Sequence, residues 1–193
     1  ANAGVSGSGG NVRIVADNSL RVFHGARVQA RGGATSGDGG FVETSGHRNL
    51  ELGSLPDVSA PKGKGGAWLI DPTNIEIIVG SVVAIPGTPY TANTIGAQDI
   101  SDFLGATGSL VITTASAGGD PGNLTWNAGA DVSWASANSL SLIADAALAF
   151  NGEINATSGN VSFKADSIAL TGTLKTGGNV KLESNTTISQ TAG

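Results

Sequence analysis

The chain has 193 residues, a formal net charge of −5 and charged side chains at only 13% of positions. With no basic cluster it is a poor partner for nucleic acid or anionic lipid, and with no cysteine it has no disulfide, thiolate nucleophile or Cys-type zinc site. Charge is too sparse to drive disorder and no apolar run nears the length of a membrane span, so the chain reads as folded and not membrane-embedded.

In chain order, the first signal is a two-glycine step leading into a short β-type run. It occurs at Gly9-Gly10-Asn11-Val12, Gly39-Gly40-Phe41-Val42, Gly65-Gly66-Ala67-Trp68 and Gly177-Gly178-Asn179-Val180, with single-glycine versions at Gly122-Asn123-Leu124 and Gly159-Asn160-Val161. Recurrence over tens of residues is the scale of a solenoid, in which each turn stacks on the last. Asn11 to Val15, Ser19 to Phe23 and Ala26 to Ala30 read as strands of a first turn, with Gly25 at a corner. Residues 31–40 read as loop. Phe41 to Thr44, Asn49 to Leu52 and Asp57 to Ala60 form the next turn.

After Ile75 to Val79 the pattern breaks, and residues 80–107 read as an insertion. It opens with a loop, Pro86-Gly87-Thr88-Pro89-Tyr90, and continues into a short helix with Ile95, Ile100, Phe103 and Leu104 as its apolar stripe. Asn93 or Thr94 can cap that helix and Gly105 ends it. Period-two runs return at Leu110 to Thr113, Leu140 to Ala144, Ala147 to Phe150, Val161 to Ala165 and Val180 to Leu182. Hairpin sheets are the alternative, but Asn151-Gly152 is the one strong two-residue turn signal. The pattern therefore predicts an all-β chain, a parallel β-helix over 1–193 with one insertion carrying a short α-helix.

Two blocks carry a resemblance. Gly39-Gly40-Phe41-Val42-Glu43-Thr44-Ser45-Gly46-His47 is followed some 20 residues later by Trp68-Leu69-Ile70-Asp71-Pro72-Thr73-Asn74-Ile75. This pairing resembles the passengers of two-partner secretion exoproteins, the filamentous-haemagglutinin-like and high-molecular-weight adhesins of Gram-negative bacteria. Its motif positions here are Gly40, Val42, Glu43, Ser45, Gly46, His47, Trp68, Asp71, Pro72 and Asn74. The resemblance implies a right-handed parallel β-helix, exported through an outer-membrane transporter partner and secreted or displayed at the cell surface. The Asn-Pro-Asn motifs of that family's secretion domain are missing, so the chain reads as an internal fragment.

His24 and His47 have no helical His or Glu partner and read as polar corner residues. Asp17, Asp38, Asp57, Asp131, Asp145 and Asp166 sit beside turns, where Asp caps backbone, rather than in the paired arrangement glycoside chemistry needs. No catalytic residue, metal ligand or cofactor is assigned. Tyr90, Trp126 and Trp134 are surface candidates for stacking on a sugar, with core packing the competing reading for the tryptophans. The expected function is adhesive: a rigid segment contacting a host surface protein or glycan. A scaffold for haem-carrier capture or toxin delivery is the alternative, and a carbohydrate-active enzyme a third. The fragment is expected to be a monomer, with end-to-end association through uncapped strand edges.

Overall fold

The computed structural model describes residues 1–83, 90–116 and 119–191. Strands β1 (Asn11–Ala16) and β2 (Ser19–Val22) precede β3 (Phe41–Gly46) and β4 (Asn49–Leu52). Next, β5 (Gly66–Ile70), β6 (Ile75–Ile78) and β7 (Thr94–Gly96) lead into the helix α1 (Ala97–Ala106). Then come β8 (Gly108–Thr113), β9 (Leu124–Trp126), β10 (Val132–Trp134), β11 (Leu140–Ile143), β12 (Ala147–Phe150) and β13 (Glu153–Ala156). The order is completed by β14 (Val161–Leu170), β15 (Thr173–Thr176) and β16 (Val180–Gln190).

The fold is mostly β, with a large parallel sheet curled into a half-barrel. Every strand pair and both isolated bridges among the described residues are parallel, which excludes the hairpin alternative. Eleven strands form the largest sheet. Its first ladder runs β1-β3-β5-β8-β11-β14-β16 and holds register so well that like side chains form columns. Val12, Val42, Trp68, Leu110, Leu140, Val161 and Val180 make one column; Ile14, Thr44, Ile70, Ile112, Leu142, Phe163 and Leu182 make the next. A second ladder passes through β7, β6, β9, β12 and the later half of β14, and a third runs β10-β13-β15. Inward positions of all three are mostly apolar and close on one core. Burying each large aliphatic there contributes about 1.5–3 kcal/mol. The last strand, β16, leaves such positions open: Val180 and Ile188 are 48% and 47% exposed.

Two expected strands are reduced to a single bridge. Ala26 to Ala30 and Asp57 to Ala60 meet only at the Gln29–Asp57 bridge. Pro56 and Pro61 bracket the second segment and supply no N–H, while the Ser59 N–H turns back to Asp57 Oδ1 at 3.0 Å. Local bonding has displaced the ladder.

The insertion also differs from expectation. Its loop residues 86–89 lie outside the described residues. Thr94 is in strand β7 and does not cap the helix; the N-cap is Gly96, whose N–H is held by Asp99 Oδ2 at 3.1 Å. Nor is Asn93 available as a cap. Its Oδ1 accepts the Leu50 N–H at 2.8 Å, its Nδ2 donates to Arg48 O at 2.8 Å, and its own N–H reaches Leu50 O at 2.7 Å. On the other side its carbonyl accepts the Glu76 N–H, and β7 pairs with β6. This stretch is thus a rung wedged between β4 and β6, out of sequence order. The helix runs past Gly105 to Ala106 and closes through the Thr107 N–H on Phe103 O. Its apolar stripe packs inward, Phe103 meeting Trp68 with ring centroids 5.0 Å apart. No helix among the described residues is long and apolar enough to cross a membrane.

Asn93 has a positive φ of 55°, so replacing it removes both side-chain bonds and adds backbone strain. Asn93→Ala should cost about 2–4 kcal/mol and Asn93→Gly, which relieves the strain alone, about 1–2 kcal/mol less, measured by urea unfolding.

Candidate functional site: a stacked corner, an aromatic cluster and a notch

The motif residues occupy both ends of the first ladder, the glycines where its strands begin and His47 with Asp71 to Asn74 where it turns into the second. Gly10, Gly40, Gly66 and Gly108 stack in a column, and a Cβ on any of the last three would lie under 3.0 Å from the carbonyl oxygen of the glycine before it. A Cβ on Gly39 would strike Val58 O in the same way. None of these four, nor Gly39, has the positive φ that often explains a glycine. Close backbone approach demands them. Val42 and Trp68 are fully buried partners, and Trp68 Nε1 donates to Thr44 Oγ1 at 2.9 Å.

Glu43 is only 5% exposed, yet it receives Arg13 Nε at 2.6 Å and Ser45 Oγ at 3.1 Å. Beyond Gly46, the His47 carbonyl accepts both the N–H and the hydroxyl of Thr73. Asn74 Oδ1 accepts the Asn123 N–H at 2.7 Å, tying that corner to the next. Asp71, Pro72 and His47 border a small depression of about 230 Å³. The His47 imidazole is half-exposed, with the fully exposed Asp17 4.0 Å away. The two blocks therefore meet in space, but as interlocks between successive rungs. No group of three His, Cys, Asp or Glu capable of holding a metal occurs among the described residues.

Of the three aromatic candidates, only Tyr90 reaches the surface. Trp126 is fully buried and Trp134 is 5% exposed, which removes both as sugar platforms. Strand alternation turns them inward, and their indole N–H groups are satisfied by Ala130 O and Asn138 O. Tyr90 is half-buried, accepts the His24 N–H at 3.0 Å and stacks on the His24 ring at 4.8 Å. Arg21 lies 4.8 Å from its centroid and Phe23, 63% exposed, sits edge-on at 6.2 Å. Arg21 and Phe23 escaped the sequence reading, although their i, i+2 spacing on one strand places both outward.

Asp99 is fully buried, and that burial pushes its carboxyl above the ordinary range, opposed by hydrogen bonds from Ser81, Val82 N–H and Gly96 N–H. Asp145 is exposed and pulled below that range by hydrogen bonds from Ser116. Both carboxylates accept backbone N–H groups, Asp99 from Val82 and Gly96 and Asp145 from Ser116.

A notch of about 500 Å³ lies beside the glycine column, at the start of the first ladder. Three successive corners line it: Ser59 to Gly65, Gly105 to Ser109 and Ser136 to Asn138. The middle corner is short because α1 ends at Ala106 and β8 begins at Gly108. The lining is hydroxyls, one amide, the Lys64 ammonium and small residues. It contains no carboxylate and no aromatic ring.

Gly39→Ala should cost about 3 kcal/mol or more through its backbone clash. Gly105→Ala, exposed on the helix with open space around it, should stabilise by about 1 kcal/mol. Urea midpoints distinguish the two. For Asp99, a folded pKa raised by burial gives a contribution that is complete below the unfolded-state value, about 3.9, and lost as pH rises through the raised value. Wild-type stability should accordingly fall relative to D99N as pH is stepped upward from that point; a constant difference would contradict the assignment. No protein-family model matches the chain, and no curated protein matches it.

Proposed function

We propose that the chain is a segment of a right-handed parallel β-helix in a secreted, surface-displayed bacterial exoprotein, and that it acts as an adhesive module towards host-cell proteins or glycans. The observation that carries this reading is the register of the two motif blocks. Gly40 to Thr44 lies directly beside Gly66 to Ile70, with Val42 on Trp68, and the Asp71 to Asn74 corner locks to His47 below and Asn123 above. Residues that make the sequence resemble exoprotein passengers are thus the ones a stacked rod needs at its corners.

Further support comes from side-chain economy. Several carboxylates are engaged with backbone N–H groups or arginines: Asp99, Asp145, Glu43 and Asp57. That suits a recognition surface better than hydrolytic chemistry, where a free acid and base must face one substrate bond. The absence of cysteine suits passage through a secretion pore in an unfolded state. Each rung would add about 4.8 Å to the rod.

The test is direct binding. The 193-residue protein, fluorescently labelled, should bind host epithelial cells or members of a glycan and matrix array saturably. Binding to none of them would reject the adhesive role, and release of new reducing ends from a polysaccharide panel would replace it with an enzymatic one.

A further inference from the structure

The notch has the features of a built recognition site. Its volume of about 500 Å³ falls within the range of about 300–1,000 Å³ found for small-molecule sites. Lys64 is held at its rim by its own backbone, whose N–H donates to Asp38 Oδ1 at 2.8 Å. Its ammonium has no ion-pair partner among the described residues, on a chain whose net charge is −5. An unpaired cation in a carboxylate-free recess attracts an anion.

The neighbouring helix end would oppose an anion if its carbonyls were bare. They are covered. Leu104 O accepts Ser136 Oγ at 2.5 Å and Asn138 Nδ2 at 2.7 Å, while Phe103 O accepts the Thr107 N–H at 2.9 Å. Ser109 Oγ accepts the Ser139 N–H at 3.0 Å, so its hydroxyl proton is free to donate into the notch. The hydroxyl of Thr107 lies beside it in the lining. Hydroxyls that both donate and accept match a polyol, and glycine and alanine walls leave room for a ring.

We infer that this notch binds a carboxylated sugar unit of the hexuronate type, Lys64 pairing with the carboxylate and Thr107 and Ser109 with ring hydroxyls. The inference rests on the adhesive reading above and names a ligand class for it. A bare inorganic anion would use Lys64 alone, and a neutral sugar would use the hydroxyls alone. The notch offers both together.

Amide NMR titration with methyl β-D-glucuronide, methyl β-D-glucoside and sodium acetate tests the assignment. The glucuronide should shift Gly65, Thr107 and Ser109 and bind about tenfold more tightly than either control. Lys64→Gln changes an exposed side chain, so the fold should survive as judged by an otherwise unchanged spectrum. It should bring glucuronide affinity down about tenfold, to the level of the glucoside. Thr107→Val should weaken both sugars and leave acetate unaffected. Equal binding of acetate and glucuronide would reduce the notch to a simple anion site and overturn the inference. So would equal binding of glucoside, shifts confined to another surface, or no effect of K64Q. Cell binding that persists in K64Q while the notch stays silent would sink the notch and spare the adhesive role. Glucuronide binding without any cell binding would do the reverse.

Discussion

The structure depends on one constraint: backbone must approach backbone at the corner where each rung begins. At Gly40, Gly66 and Gly108 the space a Cβ would occupy is already filled by a carbonyl of the rung before. With that contact in place, neighbouring strands are held at about 4.8 Å and in register, and the side chains along them fall into columns. The column headed by Val12 is aliphatic or aromatic at all seven positions because each rung starts from the same fixed point. A slip of one residue would turn every column outward. The glycine contact therefore sets the core, although glycine itself contributes nothing to it.

The insertion exploits the same constraint by breaking sequence order while keeping spatial order. A rung through Asn93 enters the second ladder between β4 and β6, and the helix then closes the third side where β10 would otherwise lack a neighbour. Phe103 against Trp68 joins helix to first ladder, so the wedge, the helix and the motif tryptophan form one packed unit. Asp99 sits at its centre. A carboxyl buried there is tolerated because it gathers donors from the strap at Ser81 and Val82 and from the start of the helix.

Strand positions were legible in the sequence wherever alternation was long enough to outweigh local chemistry, as from Leu140 onward. They were not legible at Asp57 to Ala60, where the prolines and an aspartate side chain took the backbone out of the ladder. The apolar stripe of the helix was readable from spacing, but its start was not: Asn93, a good cap by residue type, is consumed by contacts more than 40 residues away. Trp126 and Trp134 could be resolved as core only through the facing of their strands. The notch left no local signature at all. Lys64, Thr107 and Ser136 belong to three corners that only stacking brings together.

That last point bears on where recognition can reside in a molecule of this kind. A regular column presents the same small side chains rung after rung, and repetition gives rigidity with little discrimination. Discrimination requires a place where the repeat fails. Here one insertion makes two such places: Tyr90 gathers Arg21, Phe23 and His24 on one side, and the early end of the helix opens the notch on the other. The first is aromatic and the second is hydroxylated and cationic, so the two would not compete for the same chemistry. Such an insertion can vary without disturbing the columns, because only the wedge strand and the helix face must keep their shape. The glycines fix the corner and leave the side chains beside them, at Lys64, Thr107 and Ser109, free to differ.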